Sequence, residues 1–396
     1  MQNNCITNLL DIQGVKVKKV ENNKNLEIFI ETKSKLHVCP SCNHFTKHVF
    51  DYRIQKIQHI SIGQKPTFLF LRKRRYICNH CGKKFYENYD FIQKYFRKSN
   101  ALYNNVINDL KMQKNFKTIA KDNHISAPTV VRFMNYEAFL NNYYNHTKYL
   151  PQHIGIDEFK GNCDNTKYLF HVFDLDTHKT IDIVKGKSYD ILESYFSKIK
   201  NRSEVKIVSM DLCNSFKRII KDKFFNAKII ADCFHFTRTV MNSLDELRLN
   251  IWRNAKGKDK LYFRYLKTSL MKDISKANYK DSEKLLHAFE ISPILKYGYN
   301  LKNEFLKIKK ANGFKEKENL FRKWLYDAEC STISEFKTCV KTLRQWHEYI
   351  SNYFQYNLSN GPTEGKNNLI KVIKRMSFGF RNFNNFRNRI LILNLK

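Results

Sequence analysis

The amino-acid sequence predicts a protein of several domains whose largest part is a mixed α/β fold. Strand-like runs with two CxxC pairs fill residues 1–90, and a helical hairpin pattern fills residues 91–148. Strand-like and helix-like segments then alternate over residues 149–244. A helical, Lys-rich stretch, residues 245–350, separates them from residues 351–396. We therefore predict an α/β core, 149–244 with 351–396, that is interrupted by a helical insertion.

The strongest compositional feature is a net charge of +34 over 396 residues. Such a field favours DNA or RNA as partner over a small neutral substrate. A ribosome-associated or membrane-surface protein is the alternative that charge alone leaves open. No stretch reaches the ~18 apolar residues needed to span a bilayer. The N-terminal residues also lack the basic start and apolar run of a signal peptide, so we expect a cytoplasmic protein.

Four of the ten cysteines form two matched pairs, CPSC at Cys39 and Cys42 and CNHC at Cys78 and Cys81. Two such knuckles can supply four thiolates to a tetrahedral Zn²⁺. The 35 residues between them require one long hairpin. We predict one structural zinc, with two unrelated pairs or a redox role as the alternatives. The five cysteines from Cys163 onward are isolated and are predicted to be packing residues.

The stretch from Tyr52 to Tyr86 carries nine Lys or Arg and no Asp or Glu. A solvated basic face explains this composition without any partner. Beside a zinc-binding domain, a DNA contact is the favoured interpretation. The candidate DNA-binding residues of the stretch are Arg72, Arg74 and Arg75.

Residues 100–136 have helical spacing with a break before Ser126, which can cap the following helix. This is the spacing of a helix-turn-helix, whose second helix enters the DNA major groove. Thr129 and Arg132 would be presented to the DNA there. A helical hairpin without a DNA-binding role is the alternative.

The predicted elements after residue 150 follow the order β-β-β-α-β-α-β. The first three strands suit an antiparallel meander, and the later strands suit parallel crossovers. The first strand, HIGIDEF, is predicted to end at Asp157, and the fourth, EVKIVSMDL, at Asp211. The last, AKIIADCFHF, is predicted to carry Asp232 near its end. Packing of the helical insertion is predicted to be anchored by Trp252, Trp324 and Trp346.

Three acids stand out: Asp157, Asp211, and Glu364 at the start of a helix predicted to run to about Met376. Carboxylates on adjacent strands lie close together, and a helix across those strands can add a third. Three hard oxygen ligands suit Mg²⁺ or Mn²⁺, and two such ions can clamp the oxygens of a displacement at phosphorus. The alternatives are a strand-end Asp in a turn and a first-turn Glu favoured by the helix dipole.

Glu364 is surrounded by cations, which a bound metal ion would explain. A carboxylate next to DNA phosphates is tolerated when a divalent ion lies between them. The surrounding residues predicted to hold DNA backbone are Lys366, Lys371, Lys374 and Arg375.

At these residues the sequence resembles the DDE transposases of bacterial insertion sequences, most closely the ISL-three (ISL3) group. The motifs are IGIDEF around Asp157, VSMDLCNSF around Asp211, ADCFHF around Asp232 and SNGPTEGKNNLIKVIKRMSFGFRNFNNFRNRI around Glu364. The cysteine pairs and the helix-turn-helix also match that group's layout. The resemblance covers nearly the whole chain, and its last motif is the most specific.

The resemblance implies a ribonuclease-H-like core with Asp157, Asp211 and Glu364 as catalytic acids that hold two Mg²⁺ or Mn²⁺ ions. Asp232 and His235 match an auxiliary segment, although His235 is equally well explained as a core histidine. Cys233 stands where a larger polar residue is common. The implied reaction is hydrolysis at element ends followed by strand transfer into target DNA. The zinc ribbon and helix-turn-helix would recognise terminal inverted repeats, in a homodimer or higher assembly at the bacterial nucleoid.

The end of the chain, SFGFRNFNNFRNRI, alternates Phe with Arg. The phenylalanines are predicted to be core residues, and Arg381 is predicted to bind DNA. Two functions rival transposition: a transposase-derived regulator without catalysis, and another ribonuclease-H-like nuclease such as a junction resolvase.

Overall fold

A computed structural model gives the structure of the chain. It describes residues 10, 12–141, 149–358 and 361–394, with backbone alone for residues 362–364. The chain forms two units. The first unit is Met1–Tyr143 with Lys371–Lys396, and the second unit is Tyr144–Ile370.

The first unit begins with two sheets. Their strands are β1 (Val15–Asn22), β2 (Leu26–Thr32), β3 (His37–Val38), β4 (Phe45–Thr46), β5 (Val49–Ile62), β6 (Lys65–Ile77) and β7 (Lys84–Tyr86). The larger sheet has the order β1-β2-β6-β5, with β7 on β6, and β3 pairs with β4. The β5–β6 hairpin is the long hairpin predicted between the cysteine pairs. Its turn residues, Gly63 and Gln64, have φ of 58° and 62°, the left-handed conformation of a tight hairpin.

Three helices follow in the first unit: α1 (Asn100–Lys111), α2 (Phe116–Asp122) and α3 (Ala127–Leu140). Their apolar faces meet in a core that includes Leu102, Val106 and Val130. The predicted break before Ser126 is present, and Ser126 is the N-cap residue of α3. Its hydroxyl makes no capping bond to the backbone and lies 2.9 Å from Thr129 Oγ1 instead.

The last helix of the first unit, α15 (Phe383–Leu391), packs against α3. Ile392 is fully buried in the core of the three helices, and Phe380 lies edge-on to Phe116 at 5.8 Å. Residues 371–396 therefore complete the first unit, whereas the sequence predicted them as part of the α/β core. The apolar face of this segment covers α1–α3, a pairing that local sequence patterns do not reveal.

The second unit is built on one five-stranded sheet. Its strands are β8 (His153–Cys163), β9 (Thr166–Asp174), β10 (Thr180–Val184), β11 (Ile207–Met210) and β12 (Lys228–Ala231). Helices α4 (Tyr189–Ser197) and α5 (Asn214–Lys223) connect the later strands. The order is β10-β9-β8-β11-β12, with antiparallel pairing among the first three strands and parallel pairing from β8 to β12.

Two predicted strand ends differ from the structure. β8 continues past Asp157 to Cys163, because its alternating pattern stays paired with β9 as far as Thr166. Asp232 does not lie within a strand. It follows β12 and is the N-cap of the next helix, where its side chain accepts a bond from the Phe234 N–H at 3.3 Å.

That helix, α6 (Cys233–Asn254), runs without a break past the predicted boundary at residue 244 into the helical region. The helices that follow are α7 (Gly257–Tyr265), α8 (Lys267–Met271), α9 (Tyr279–Ile291), α10 (Pro293–Lys310), α11 (Gly313–Cys330), α12 (Ser334–Gln345) and α13 (His347–Tyr356). Trp324 and Trp346 are buried among them, and Trp252 packs against the same core. No helix among the described residues is long and apolar enough to cross a membrane.

One glycine in β8 is required by packing. A Cβ atom at Gly155 would lie 1.8 Å from the ring of Phe173 on β9, closer than any real contact. The ring of Phe173 therefore occupies the space beside the strand that carries Asp157. Any larger residue at position 155 would displace it.

We expect Arg389→Ala to destabilise the first unit by about 2–4 kcal/mol. Arg389 is 1% exposed and donates to the backbone carbonyls of Met112 at 2.8 Å and Lys114 at 3.2 Å, just after α1. Hydrogen–deuterium exchange of α1 should accelerate strongly. The control Arg381→Ala, at an exposed position, should leave exchange unchanged. Equal hydrogen–deuterium exchange of α1 in Arg389→Ala and Arg381→Ala would contradict the structural role assigned to Arg389.

We also expect the first unit to lose stability as the pH falls from about 6.5 to 4. His59 is 1% exposed, its Nδ1 lies 2.8 Å from Ser99 Oγ, and burial lowers the pKa of His59 to about 4. The unfolded chain takes up a proton in this window and the folded chain does not. Stability is therefore complete above pH 6.5 and falls by roughly 3 kcal/mol on acidification.

Urea unfolding followed by circular dichroism at pH 7, 5.5 and 4 checks this pH dependence. In His59→Gln, most of the loss of unfolding free energy between pH 6.5 and 4 should disappear. His48→Gln, at an exposed histidine of the same unit, should keep it. Identical pH profiles for wild type and His59→Gln would refute the assignment.

Candidate active site and zinc centre

Strand register places three carboxylates at one level of the second unit's sheet. Ser209 on β11 pairs with Gly155 on β8, so Asp211 comes opposite Asp157 two residues further along. Met210 pairs with Ala231 on β12, so Asp232 follows at the same level on the other side of Asp211. The Asp232 N–H also donates to the Met210 carbonyl at 2.8 Å. We call Asp157, Asp211 and Asp232 the acid row.

The acid row concentrates negative charge around its middle member. Burial raises the pKa of Asp211 to about 8. The charges of Asp157 and Asp232, and a hydrogen bond with Asp157, act in the same direction. Such a group is ionised at neutral pH only when a cation compensates the repulsion. Carboxylate oxygens in this arrangement are the ligands that Mg²⁺ and Mn²⁺ prefer.

His235, in the first turn of α6, joins the acid row. Its Nε2 lies 3.1 Å from Asp211 Oδ1 and 3.8 Å from Asp232 Oδ2. Ligand atoms of these three residues all lie within 4.8 Å of one another. The His235 side chain is 34% exposed, so it is not the buried core histidine that the sequence allowed.

The third predicted acid, Glu364, lies in the first turn of helix α14 (Gly361–Met376), the helix that the sequence predicted. Its side chain lies outside the described residues. One turn later on the same helix, Asn367 donates a hydrogen bond to Asp157 Oδ2. The α14 helix therefore reaches the acid row through Asn367, which the sequence did not single out.

A groove of about 380 Å³ opens beside Asp211 and His235. Two cationic side chains line it, Lys187 and Arg238. Lys187 Nζ lies 2.6 Å from Glu158 Oε2, next to Asp157 along β8. Sequence patterns missed both cations, because neither stands in a motif and only the fold brings them to the site.

The two cysteine pairs converge in the first unit. Cys39 Sγ lies 3.6 Å from Cys81 Sγ, and Cys42 Sγ lies 3.5 Å from Cys78 Sγ. All four sulfur atoms lie within 4.8 Å of one another. Four thiolates at these separations fit the tetrahedral shell of Zn²⁺.

The two knuckles have the same backbone turn. The Asn43 N–H donates to the Cys39 carbonyl at 3.0 Å, and the Gly82 N–H donates to the Cys78 carbonyl at 2.9 Å. Asn43 and Gly82 both adopt positive φ, 58° and 70°. Asn and Gly are the residues that tolerate this conformation best, so the local sequence builds two matching ligand turns.

The predicted DNA-binding residues have different environments. Arg74 is 5% exposed and its NH2 lies 2.5 Å from Glu31 Oε1, so it stabilises the sheet instead of facing solvent. Thr129 is 5% exposed and accepts a bond from Arg132 at 3.0 Å, so it is not presented on the helix surface. The exposed or half-buried ones are Arg72, Arg75, Arg132, Lys366, Lys371, Lys374, Arg375 and Arg381.

Comparisons with known proteins match the parts of the chain that contain these residues. A family model described as "Transposase", of the ISL3 group, matches residues 154–390. A second, described as "zinc-finger of transposase IS204/IS1001/IS1096/IS1165", matches residues 35–81. The chain is 22% identical to the transposase for insertion sequence element IS1001 of Bordetella parapertussis, over 93% of this chain and 92% of that protein.

Two further relatives cover less of the chain. It is 22% identical to the transposase for insertion sequence element IS1557 of Mycobacterium tuberculosis, over 58% of this chain and 56% of that protein. A 160-residue segment is 30% identical to a Lactococcus lactis protein described as an ATP-dependent protease, covering 40% of this chain and 47% of that protein.

Cys42→Ser should abolish stoichiometric zinc binding, because it leaves three thiolates. Metal analysis of the purified chain should give about one Zn²⁺ for the wild type and near zero for the variant. Cys330→Ser, at an exposed cysteine of α11, is the matched control and should keep its zinc. Full zinc content in Cys42→Ser would show that the four sulfur atoms do not form the centre.

Proposed function

The chain belongs to the ISL3 group of DDE transposases, and we propose that it cuts and joins DNA at a divalent-metal site formed by Asp157, Asp211 and Glu364. The acid row carries this proposal. Asp157 on β8 and Asp211, directly after the parallel strand β11, stand side by side. Burial and the neighbouring carboxylates raise the pKa of Asp211, and a divalent cation would compensate the crowded negative charge. Glu364 is assigned from the family motif and its place on α14.

The strand order supports a ribonuclease-H-like core. In chain order the sheet runs third-second-first-fourth-fifth strand, with the antiparallel meander on one side and two parallel strands on the other. We take α7–α13 as the insertion into this core. In the first unit, we take α2 and α3 as a helix-turn-helix beside the zinc ribbon.

In the proposed mechanism, Asp157, Asp211 and Glu364 would hold two Mg²⁺ or Mn²⁺ ions. Such ions would lower the pKa of the attacking water or 3′-hydroxyl and neutralise the departing oxygen. His235 orients Asp211 through its Nε2 contact at 3.1 Å. Lys187 and Arg238 line the groove and offer positive charge to the phosphates on either side of the scissile bond.

The zinc ribbon and the helix-turn-helix would recognise the terminal inverted repeats of the element. The exposed cations Arg72, Arg132 and Arg381 are the candidates for DNA contacts in the first unit. Arg74 and Thr129 are left out because of their burial. We expect a homodimer or larger assembly to pair two element ends on DNA, in the bacterial cytoplasm at the nucleoid.

Asp157→Ala should reduce Mg²⁺-dependent cleavage of element-end DNA by about 10²–10³-fold or more. Binding of the same DNA in Ca²⁺ should remain within about twofold of wild type, since the predicted DNA contacts are intact. Single-turnover cleavage and fluorescence anisotropy measure the two quantities. Asp190→Ala, at an exposed acid in the first turn of α4, is the control and should cleave normally.

The same assay distinguishes the rival functions. A transposase-derived regulator would bind the element ends and leave them uncut in the wild type as well. A junction resolvase would cut branched DNA in preference to linear ends. Cleavage by Asp157→Ala at the wild-type rate would remove the acid row from the mechanism.

A further inference from the structure

A chain of buried hydrogen bonds ends at Asp157. In the β8–β9 pairing, His171 stands directly opposite Asp157. Asn367 from α14 bonds to both: its Nδ2 donates to Asp157 Oδ2, and its Oδ1 lies 3.0 Å from His171 Nδ1. On the far side of the ring, His171 Nε2 lies 3.0 Å from Thr180 Oγ1 on β10. We call Thr180, His171 and Asn367 the relay.

The relay is shielded from water. His171 is 0% exposed, Asn367 5% and Thr180 6%. The rings of Phe159 and Phe173 flank the imidazole, with centroids 6.3 and 5.4 Å away. Polar groups in such surroundings are stable when they are hydrogen-bonded, as these three side chains are.

With a neutral imidazole and an ionised Asp157, one proton arrangement satisfies the relay. An ionised carboxylate accepts and never donates, so the Asn367 amide must turn its NH₂ group to Asp157 and its oxygen to His171. His171 Nδ1 must then carry the proton, which leaves Nε2 to accept from the Thr180 hydroxyl. Burial lowers the pKa of His171 to about 4, so the ring is neutral and holds a single proton.

We propose that Thr180, His171 and Asn367 are positioning residues that fix the Asp157 carboxylate for metal binding. The Glu158 N–H donates to Asp157 Oδ1 at 2.6 Å, while Asn367 holds Oδ2. Both oxygens are thus oriented. This inference rests on the proposed function in one respect, that Asp157 is a metal ligand. Partners of this kind typically change metal affinity about 10–100-fold.

The first experiment tests the relay without metal. Nitrogen NMR of the full chain labelled with ¹⁵N-histidine reports which ring nitrogen carries the proton, and loss of the signal in His171→Gln assigns it. We expect the Nδ1–H form in the wild type and in Thr180→Ser, which keeps the hydroxyl. Thr180→Val should shift the signal toward a mixture. An Nε2–H form in the wild type would overturn the proposed direction of the hydrogen bonds in the relay.

The second experiment measures Mn²⁺ affinity by electron paramagnetic resonance on the zinc-loaded full chain with element-end DNA. Asn367→Ala should weaken Mn²⁺ binding about tenfold, and Thr180→Val a few-fold. Thr180→Ser and Asn368→Ala, at the exposed neighbour of Asn367, should bind as the wild type does. Circular dichroism confirms that each variant is folded.

The Asp157→Asn variant distinguishes a failure of the proposed function from a failure of the positioning role of the relay. If Asp157→Asn binds Mn²⁺ normally, Asp157 is not a ligand and the proposed function fails, while the NMR result still decides the relay's hydrogen bonding. If Asp157→Asn loses Mn²⁺ but Asn367→Ala and Thr180→Val do not, the positioning role is wrong and the function stands. Equal loss in Thr180→Ser and Thr180→Val would assign the effect to packing and also refute it.

Discussion

Three carboxylates at one level of a single sheet repel one another, and the second unit is built around that constraint. β8, β11 and β12 hold Asp157, Asp211 and Asp232 at neighbouring positions through their register. Burial and the neighbouring carboxylates raise the pKa of Asp211, so ionising this side chain costs stability. The surroundings are organised to hold the charges. Asp232 caps α6, His235 contacts two of the acids, and the relay orients the third.

The positive charge of the chain has two separate uses. Some cations are structural: Arg74 pairs with Glu31 inside the first sheet, and Arg389 binds the backbone carbonyls that follow α1. Others are exposed, among them Arg72, Arg132 and Arg381, and these are the candidates for contact with a polyanion. A net charge of +34 therefore indicates the class of partner but not which residues touch it. Solvent exposure distinguishes the structural cations from the exposed ones, and a count of charged residues does not give that exposure.

The sequence predicted those features that depend on local pattern. Short apolar runs predicted the strands around the acid row, and the matched CxxC turns predicted the zinc centre. The sequence-based predictions failed where pairing between distant segments determines the structure. The ending of β8 was misplaced because β9 extends the pairing beyond Asp157, and Asp232 was assigned to a strand because a cap and a strand end look alike in sequence. His171 and Asn367, 196 residues apart, meet only in the folded chain.

The packing of α15 onto α3 has a consequence for how the protein is made. Residues 371–396 emerge from the ribosome only after the whole of Tyr144–Ile370, yet they supply Ile392 and Phe386 to the interior of the first unit. A nascent chain or a fragment cut before residue 371 thus lacks part of that interior. Translation order delays completion of the unit that carries the zinc centre until the acid row has been synthesised.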